Sequence, residues 1–130
     1  MSCERQIPFI YASSAATYGD GSFGFSDAHD PIFKLKPMNA YGCSKQEFDI
    51  WALNQSIKPP KWAGLKYFNV YGPGENHKGR MASVVWTFIK QLKSYNKLKL
   101  FEGSHGYNDG EQRRDFIYID DAVKMTMFFY

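Results

Sequence analysis

The chain has 130 residues, 44% of them hydrophobic and 22% charged, a globular composition with enough apolar material for one modest core. A formal net charge of +3 excludes a strongly acidic or strongly basic chain, and no apolar run approaches the roughly 20 residues of a membrane span. Cys3 and Cys43 have neither metal-ligand spacing nor a disulfide framework, and the opening Met-Ser-Cys-Glu-Arg-Gln is not a secretory leader, so a soluble, cytoplasmic protein is expected.

Residues 7–12, Ile-Pro-Phe-Ile-Tyr-Ala, run straight into Ser13-Ser14-Ala15-Ala16, which predicts a buried strand delivering hydroxyls at its C-terminal end. Residues 19–37 carry Gly, Asp, Ser, His and Pro without periodicity and read as a long loop, a length often given to function. A helix is predicted over 39–56, with Tyr41, Lys45, Phe48, Trp51 and Ala52 on one face and Pro59-Pro60 ending it. Tyr41 and Lys45 are four residues apart, so phenol and ammonium can reach a common point. A held ammonium would lower the phenol from its reference pKa of about 10 and make it a usable base. Taken alone, the pair also reads as an aromatic core residue followed by a solvated lysine.

Residues 63–70 predict a second strand, broken by Tyr71-Gly72-Pro73-Gly74. Met81, Val84, Val85, Phe88 and Leu92 recur at helical spacing and mark an amphipathic helix whose stripe is expected to pack in the core. Short strands are predicted at 97–101 and 116–119 around a polar loop, and Asp120-Asp121 stand where they would cap a last helix. Alternating strands and helices predict an α/β fold with a largely parallel sheet. Between Lys58 and Lys99 nine basic residues face one acid, Glu75, a surplus that favours an anionic partner. A nucleic acid is not expected, because these residues form no cluster and join no recognisable binding motif.

Several chemistries are excluded by what is missing. His29, His77 and His105 are too far apart in sequence to suggest a metal site, and no G-x-S-x-G elbow is present. Residues 74–81 lie between strand and helix as a phosphate loop does, but Arg80 and Met81 occupy the places of its Lys and Ser or Thr. What remains is an acid/base set: Ser14 after the first strand, Tyr41 and Lys45 at the helix start, and Asn69 closing the second strand. In a parallel α/β sheet the carboxyl ends of strands lie on one edge, where ligands bind. Hydroxyl, phenol and ammonium there suit removal of a proton from a substrate alcohol, which is half of a hydride transfer.

Four segments, Tyr-Ala-Ser-Ser-Ala-Ala-Thr-Tyr-Gly from Tyr11, Tyr-Gly-Cys-Ser-Lys from Tyr41, Tyr-Phe-Asn-Val-Tyr-Gly-Pro from Tyr67 and Arg-Asp-Phe-Ile-Tyr from Arg114, resemble in order the motifs of one superfamily. It is the extended short-chain dehydrogenase/reductases, the NAD-dependent epimerases and dehydratases that act on nucleotide sugars. His77-Lys78-Gly79, Met81-Ala82-Ser83-Val84 and Phe101-Glu102-Gly103-Ser104 are most similar to the branch that inverts C6 of ADP-heptose for lipopolysaccharide core synthesis.

The resemblance implies a partial Rossmann-like doubly wound parallel sheet, with residues 1–75 as the C-terminal half of the catalytic domain and 76–130 as part of a small substrate-binding subdomain. It implies an ADP-sugar substrate and NADP, with hydride leaving C6 and returning on the opposite face. Tyr41 and Lys78 match the two bases, Lys78 being expected in a closed, partly dry site. Ser14 matches the group holding the reacting oxygen. Lys45 and Val70 match cofactor contacts, and Asn69, Arg80, Thr87, Phe101, Glu102, Gly103, Ser104 and Arg114 match substrate contacts.

Some positions depart from the pattern: Arg80 stands where a serine is common, Thr87 where a histidine is common, and residues 105–112 lengthen a loop. No G-x-x-G-x-x-G follows an early strand. An internal segment of a longer, homo-oligomeric enzyme is therefore expected, inactive and without tight NADP binding on its own. Alternatives are another nucleotide-sugar epimerase or 4,6-dehydratase, and a non-catalytic sugar-nucleotide sensor on the same scaffold.

Overall fold

A computed structural model of the chain describes residues 2–104 and 106–130, so His105, a histidine weighed above and the first residue of the lengthened loop, lies outside the described residues. The chain forms two compact units, Met1–Phe68 with Lys124–Tyr130, and Asn69–Val123. All strand pairing between named strands is parallel, as expected for an α/β fold.

In the first unit β1 (Phe9–Ser14) pairs with β2 (Trp62–Tyr67), Phe9 facing Trp62 and Ser14 facing Tyr67. Ser13 and Ser14 are the last residues of the strand, at its C-terminal end as expected, and both are buried. A short 3₁₀ helix, Ala15–Tyr18, follows, and Ser14 caps it by accepting a hydrogen bond from the Ala16 amide at 3.1 Å. The expected long loop holds a second such turn, Asp30–Lys34. Its Ile32 packs with Tyr18 and Leu35 into a small core, against which Ala15, Ile50 and Leu53 rest.

Helix α1 (Ala40–Asn54) starts where Asn39 Oδ1 accepts from the Gly42 amide at 2.8 Å, an N-cap that satisfies one of the helix's free donors. Gly42 sits against the backbone of the first 3₁₀ helix. A Cβ there would lie 2.8 Å from the Ala16 carbonyl oxygen and 2.9 Å from Pro37 Cβ.

The buried positions of α1 are Gly42, Gln46, Asp49 and Ala52; of the face predicted through Tyr41, Lys45, Phe48, Trp51 and Ala52 only Ala52 is buried, and Tyr41, Phe48 and Trp51 are exposed. The reason is polar. Gln46 Nε2 donates to the Ile32 and Leu35 carbonyls at 2.9 and 2.8 Å, and Asp49 binds three side chains of β1 and β2. Hydrogen bonds therefore set the inward face of this helix.

The predicted strand 63–70 divides in two. β2 ends at Tyr67 and pairs with β1, whereas β3 (Asn69–Tyr71) pairs with β4 (Phe116–Tyr118) in the second unit. A 3₁₀ segment, Glu75–Met81, follows β3 and bends at Gly79, whose φ of 54° is left-handed. Ser83 then caps α2 (Val84–Tyr95) by accepting from the Trp86 amide at 3.1 Å.

No residue of α2 is buried, and Met81 precedes the helix at 86% exposure, so the expected core stripe is not a core face. A two-stranded ladder offers little surface to bury it; Phe88 meets the Phe101 ring at a centroid distance of 6.4 Å. Residues 97–101 form no strand either. The Lys99 amide bonds Gln91 Oε1 at 2.7 Å and the Phe101 carbonyl accepts from the Gly110 amide at 2.9 Å, so turn contacts take the groups a ladder would have used. β4 leads into α3 (Ile119–Phe128), with Asp120 and Asp121 in its first turn rather than at its cap.

Candidate functional site

Each unit carries one cluster of the residues singled out by sequence. In the first unit, Lys45 Nζ donates to the Ala12 carbonyl of β1 at 2.8 Å and lies 5.8 Å from the centroid of the Tyr41 ring. The half-buried ammonium is thus fixed near the carboxyl end of a parallel strand beside an exposed phenol. Two residues on, Ser14 has its carbonyl engaged by Thr17 Oγ1 at 2.8 Å, while its hydroxyl oxygen caps the 3₁₀ helix.

Beneath this set lies a network the sequence reading did not find. Asp49 Oδ1 accepts from the Tyr11 hydroxyl at 2.9 Å, and Oδ2 accepts from the Ser13 hydroxyl at 2.7 Å and Lys66 Nζ at 2.8 Å. Lys66 Nζ also donates to Thr17 Oγ1 at 2.6 Å and sits 5.2 Å from the Tyr18 ring centroid. Burial, the Asp49 charge and the Asp49 hydrogen bond all push the Tyr11 phenol up, which keeps it a proton donor. The available signal was Asp49 itself: an acid one turn beyond Lys45, on a side of the helix that would have to face the strands.

The second unit holds an open cleft of about 520 Å³. Asn69, Val70, Lys78, Phe101, Glu102, Ser104 and Arg114 all line it, bringing most of the sequence-predicted sugar and cofactor contacts of this unit together. Arg80, Thr87 and Gly103 are not among its lining residues; the Gly103 amide is engaged by Asp109 Oδ1 at 2.6 Å. Asn69 Nδ2 donates to the Asp115 carbonyl at 2.9 Å, and Gln112, which sequence missed, donates to the Glu102 carbonyl at 2.6 Å across the mouth of the loop.

Lys78, expected in a closed, partly dry site, lies on the open cleft. Its side chain is 43% exposed, and Nζ lies 3.6 Å from Glu75 Oε2. Glu75, also missed, is buried and accepts from the Ser83 amide and hydroxyl, both at 2.7 Å, and from the Gly72 amide at 3.3 Å. Burial pushes this carboxyl up, but the Ser83 and Gly72 hydrogen bonds and the Lys78 charge outweigh it and hold the group below its ordinary range.

These features define an α/β chain with a Tyr-x-x-x-Lys pair near the end of a parallel strand and a cleft in its second unit lined by Lys78, Arg114, Glu75 and Glu102 among polar and apolar side chains. The model of the NAD dependent epimerase/dehydratase family matches residues 1–130, and the chain belongs to that family. It is 52% identical over 128 residues to an ADP-L-glycero-D-manno-heptose-6-epimerase of Fusobacterium nucleatum, covering 96% of this chain and 39% of that protein. It is 52% identical over 123 residues to the enzyme of that name from Nitratidesulfovibrio vulgaris Hildenborough, covering 94% and 38%.

The crystal structure of the Helicobacter pylori ADP-L-glycero-D-manno-heptose-6-epimerase superposes with a TM-score of 0.76 at 34% identity, covering 97% of this chain and 37% of that one. An NAD-dependent NDP-hexosamine 5,6-dehydratase of tunicamycin biosynthesis superposes at 0.64 with 30% identity, covering 94% and 37%. The chain thus spans under two fifths of the length of the relatives it matches.

The family implies a nicotinamide cofactor, and the donor set of the first unit suits one. An ammonium has three donors, and the Ala12 bond uses one, leaving Lys45 able to bind ribose hydroxyls. Among the described residues no helix is long and apolar enough to cross a membrane.

Proposed function

We propose that this chain supplies catalytic and substrate-binding residues of a nucleotide-sugar epimerase that inverts C6 of ADP-heptose. The observation that carries the reading is the cleft of the second unit, which Lys78 lines together with Asn69, Phe101, Glu102, Ser104 and Arg114. The names of the relatives at 52% identity support the substrate.

In this reading Tyr41 is one base and accepts the hydroxyl proton of the sugar, while Ser14 donates a hydrogen bond to the reacting oxygen. Lys45 binds the cofactor ribose and orients Tyr41, and Val70 contacts the cofactor. Lys78 is the second base, serving the opposite stereochemical course. When bound, the cofactor supplies the acceptor and donor of hydride that inversion at a carbinol carbon requires. Arg114 gives the nucleotide diphosphate a cationic contact, and Asn69, Glu102, Gly103 and Ser104 offer polar ones to the sugar, with Arg80 and Thr87 as further contacts and Phe101 as an apolar wall.

In this reading the cofactor is NADP rather than NAD and the enzyme is cytoplasmic and homo-oligomeric, with residues 1–75 in the catalytic domain and 76–130 in the substrate-binding region. The likeness to a 5,6-dehydratase favours a second reading, a dehydratase on the same scaffold. In the complete protein, Tyr41→Phe and Lys78→Met should each lower turnover of ADP-heptose by at least about 100-fold, with binding of the sugar nucleotide retained. Turnover of UDP-galactose or GDP-mannose instead of ADP-heptose, or full activity in both variants, would refute the assignment.

A further inference from the structure

We propose that Asp49, held by Lys66, is a positioning residue that fixes Ser14, Tyr41 and Lys45 in register; this rests on the roles given to those three residues above. α1 grips the end of β1 at two successive residues. Lys45 Nζ bonds the Ala12 carbonyl at 2.8 Å, and one turn further along the helix Asp49 Oδ2 accepts from the Ser13 hydroxyl at 2.7 Å. The next residue is Ser14. A helix slide or rotation that moved Tyr41 and Lys45 relative to Ser14 would have to break both bonds.

The second grip is the costlier one to break. Asp49 is 2% exposed, and each of its oxygens is used: Oδ1 by Tyr11, Oδ2 by Ser13 and Lys66. A buried carboxylate with its donors removed has no water to replace them. Lys66 comes from β2 and also reaches Thr17, in the turn that Ser14 caps. The network therefore ties helix, both strands and the turn after Ser14 to one carboxylate. None of its members needs to touch substrate, yet a displacement of about 1 Å in a group that must align with a reacting atom costs on the order of 100-fold in rate.

The test uses the complete protein and two variants. Ser13→Ala removes the bond next to Ser14 but leaves the Tyr11 hydroxyl and the Asp49–Lys66 charge pair in place, so it folds even where Asp49→Asn fails to. Both are assayed well below their melting temperatures, on the folded fraction. Ser13→Ala is expected to lower kcat for ADP-heptose by about 10-fold and Asp49→Asn by about 10- to 100-fold, with KM for ADP-heptose changed less than about 3-fold. Hydrogen exchange of the peptide covering residues 40–46 should quicken in both.

A merely structural role lowers the melting temperature and leaves kcat per folded molecule at the wild-type value, and that result overturns the inference. If the wild-type protein turns over no ADP-heptose, the proposed function fails and the positioning role is read from cofactor affinity. Calorimetric Kd for NADP and for NAD should then rise about 5-fold or more in Ser13→Ala for whichever cofactor the wild type binds, and an unchanged Kd refutes the inference.

Discussion

Replacing Lys66 with methionine isolates the electrostatics of the first unit. The side chains of Lys66 and Asp49 are 14% and 2% exposed, and their charged atoms are 2.8 Å apart. Removing one partner of such a buried pair costs about 3–5 kcal/mol, because the remaining charge is left without its counterion. Asp49 would keep the Tyr11 and Ser13 hydroxyls, which places the loss at the lower end, about 3 kcal/mol. With a urea dependence of about 1.5 kcal/mol per molar, the midpoint should fall by about 2 M. Trp51 on α1 and Trp62 on β2 report the transition by fluorescence. The double variant Lys66→Met/Asp49→Asn removes both charges and should recover at least about 1 kcal/mol of the loss. A single variant costing under about 1 kcal/mol, or a double variant no more stable than the single, would show that the pair is not the buried charge balance described above.

Gly42→Ala should destabilise by about 1–3 kcal/mol despite alanine's better helix propensity, since its methyl would meet the Ala16 carbonyl at 2.8 Å; a stabilised variant in thermal melts would contradict that packing. Glu75 has a folded pKa below its unfolded value, so its contribution is present above about pH 4.5 and is lost as pH falls through the folded value. Glu75→Gln should therefore be less stable than wild type at pH 7, with the gap narrowing below about pH 4.5, and a gap independent of pH would refute the assignment. Ser83→Ala removes both the α2 cap and a donor to Glu75, and should cost about 1–2 kcal/mol in urea unfolding, against a few tenths for an exposed helix serine such as Ser94.

The class of fold was legible because it rests on local chemistry. Strand formers ending in serines, a capped helix from Asn39 and prolines after it are short-range signals, and β1 and α1 appear within two residues of their predicted bounds. The orientation of α1 was not legible, because an apolar count puts Phe48 and Trp51 inside, whereas Gln46 and Asp49 find partners there that only the tertiary structure supplies. The division of the strand at Phe68 was hidden for a similar reason. A change of pairing partner leaves no trace in a run such as Tyr-Phe-Asn-Val. For the candidate site, the motif residues were visible in sequence, but the carboxylates beneath them were not, because buried acids look like surface acids until their donors are known.

Both units turn out to use the same device. Each buries a carboxylate, Asp49 or Glu75, that accepts from the hydroxyl of a serine and faces a lysine, Lys66 or Lys78. In each the carboxylate joins a helix or 3₁₀ segment to the end of a strand: Asp49 to β1 through Ser13, Glu75 to the turn after β3 through the Gly72 amide. The lysines differ. Lys66 is 14% exposed at 2.8 Å with a second acceptor in Thr17, so it is committed to the fold. Lys78 is 43% exposed at 3.6 Å from its carboxylate, a distance that leaves the ammonium free to leave Glu75 at little cost. One lysine holds the framework and the other is only loosely held by its carboxylate, and the difference follows from exposure and distance rather than from residue type.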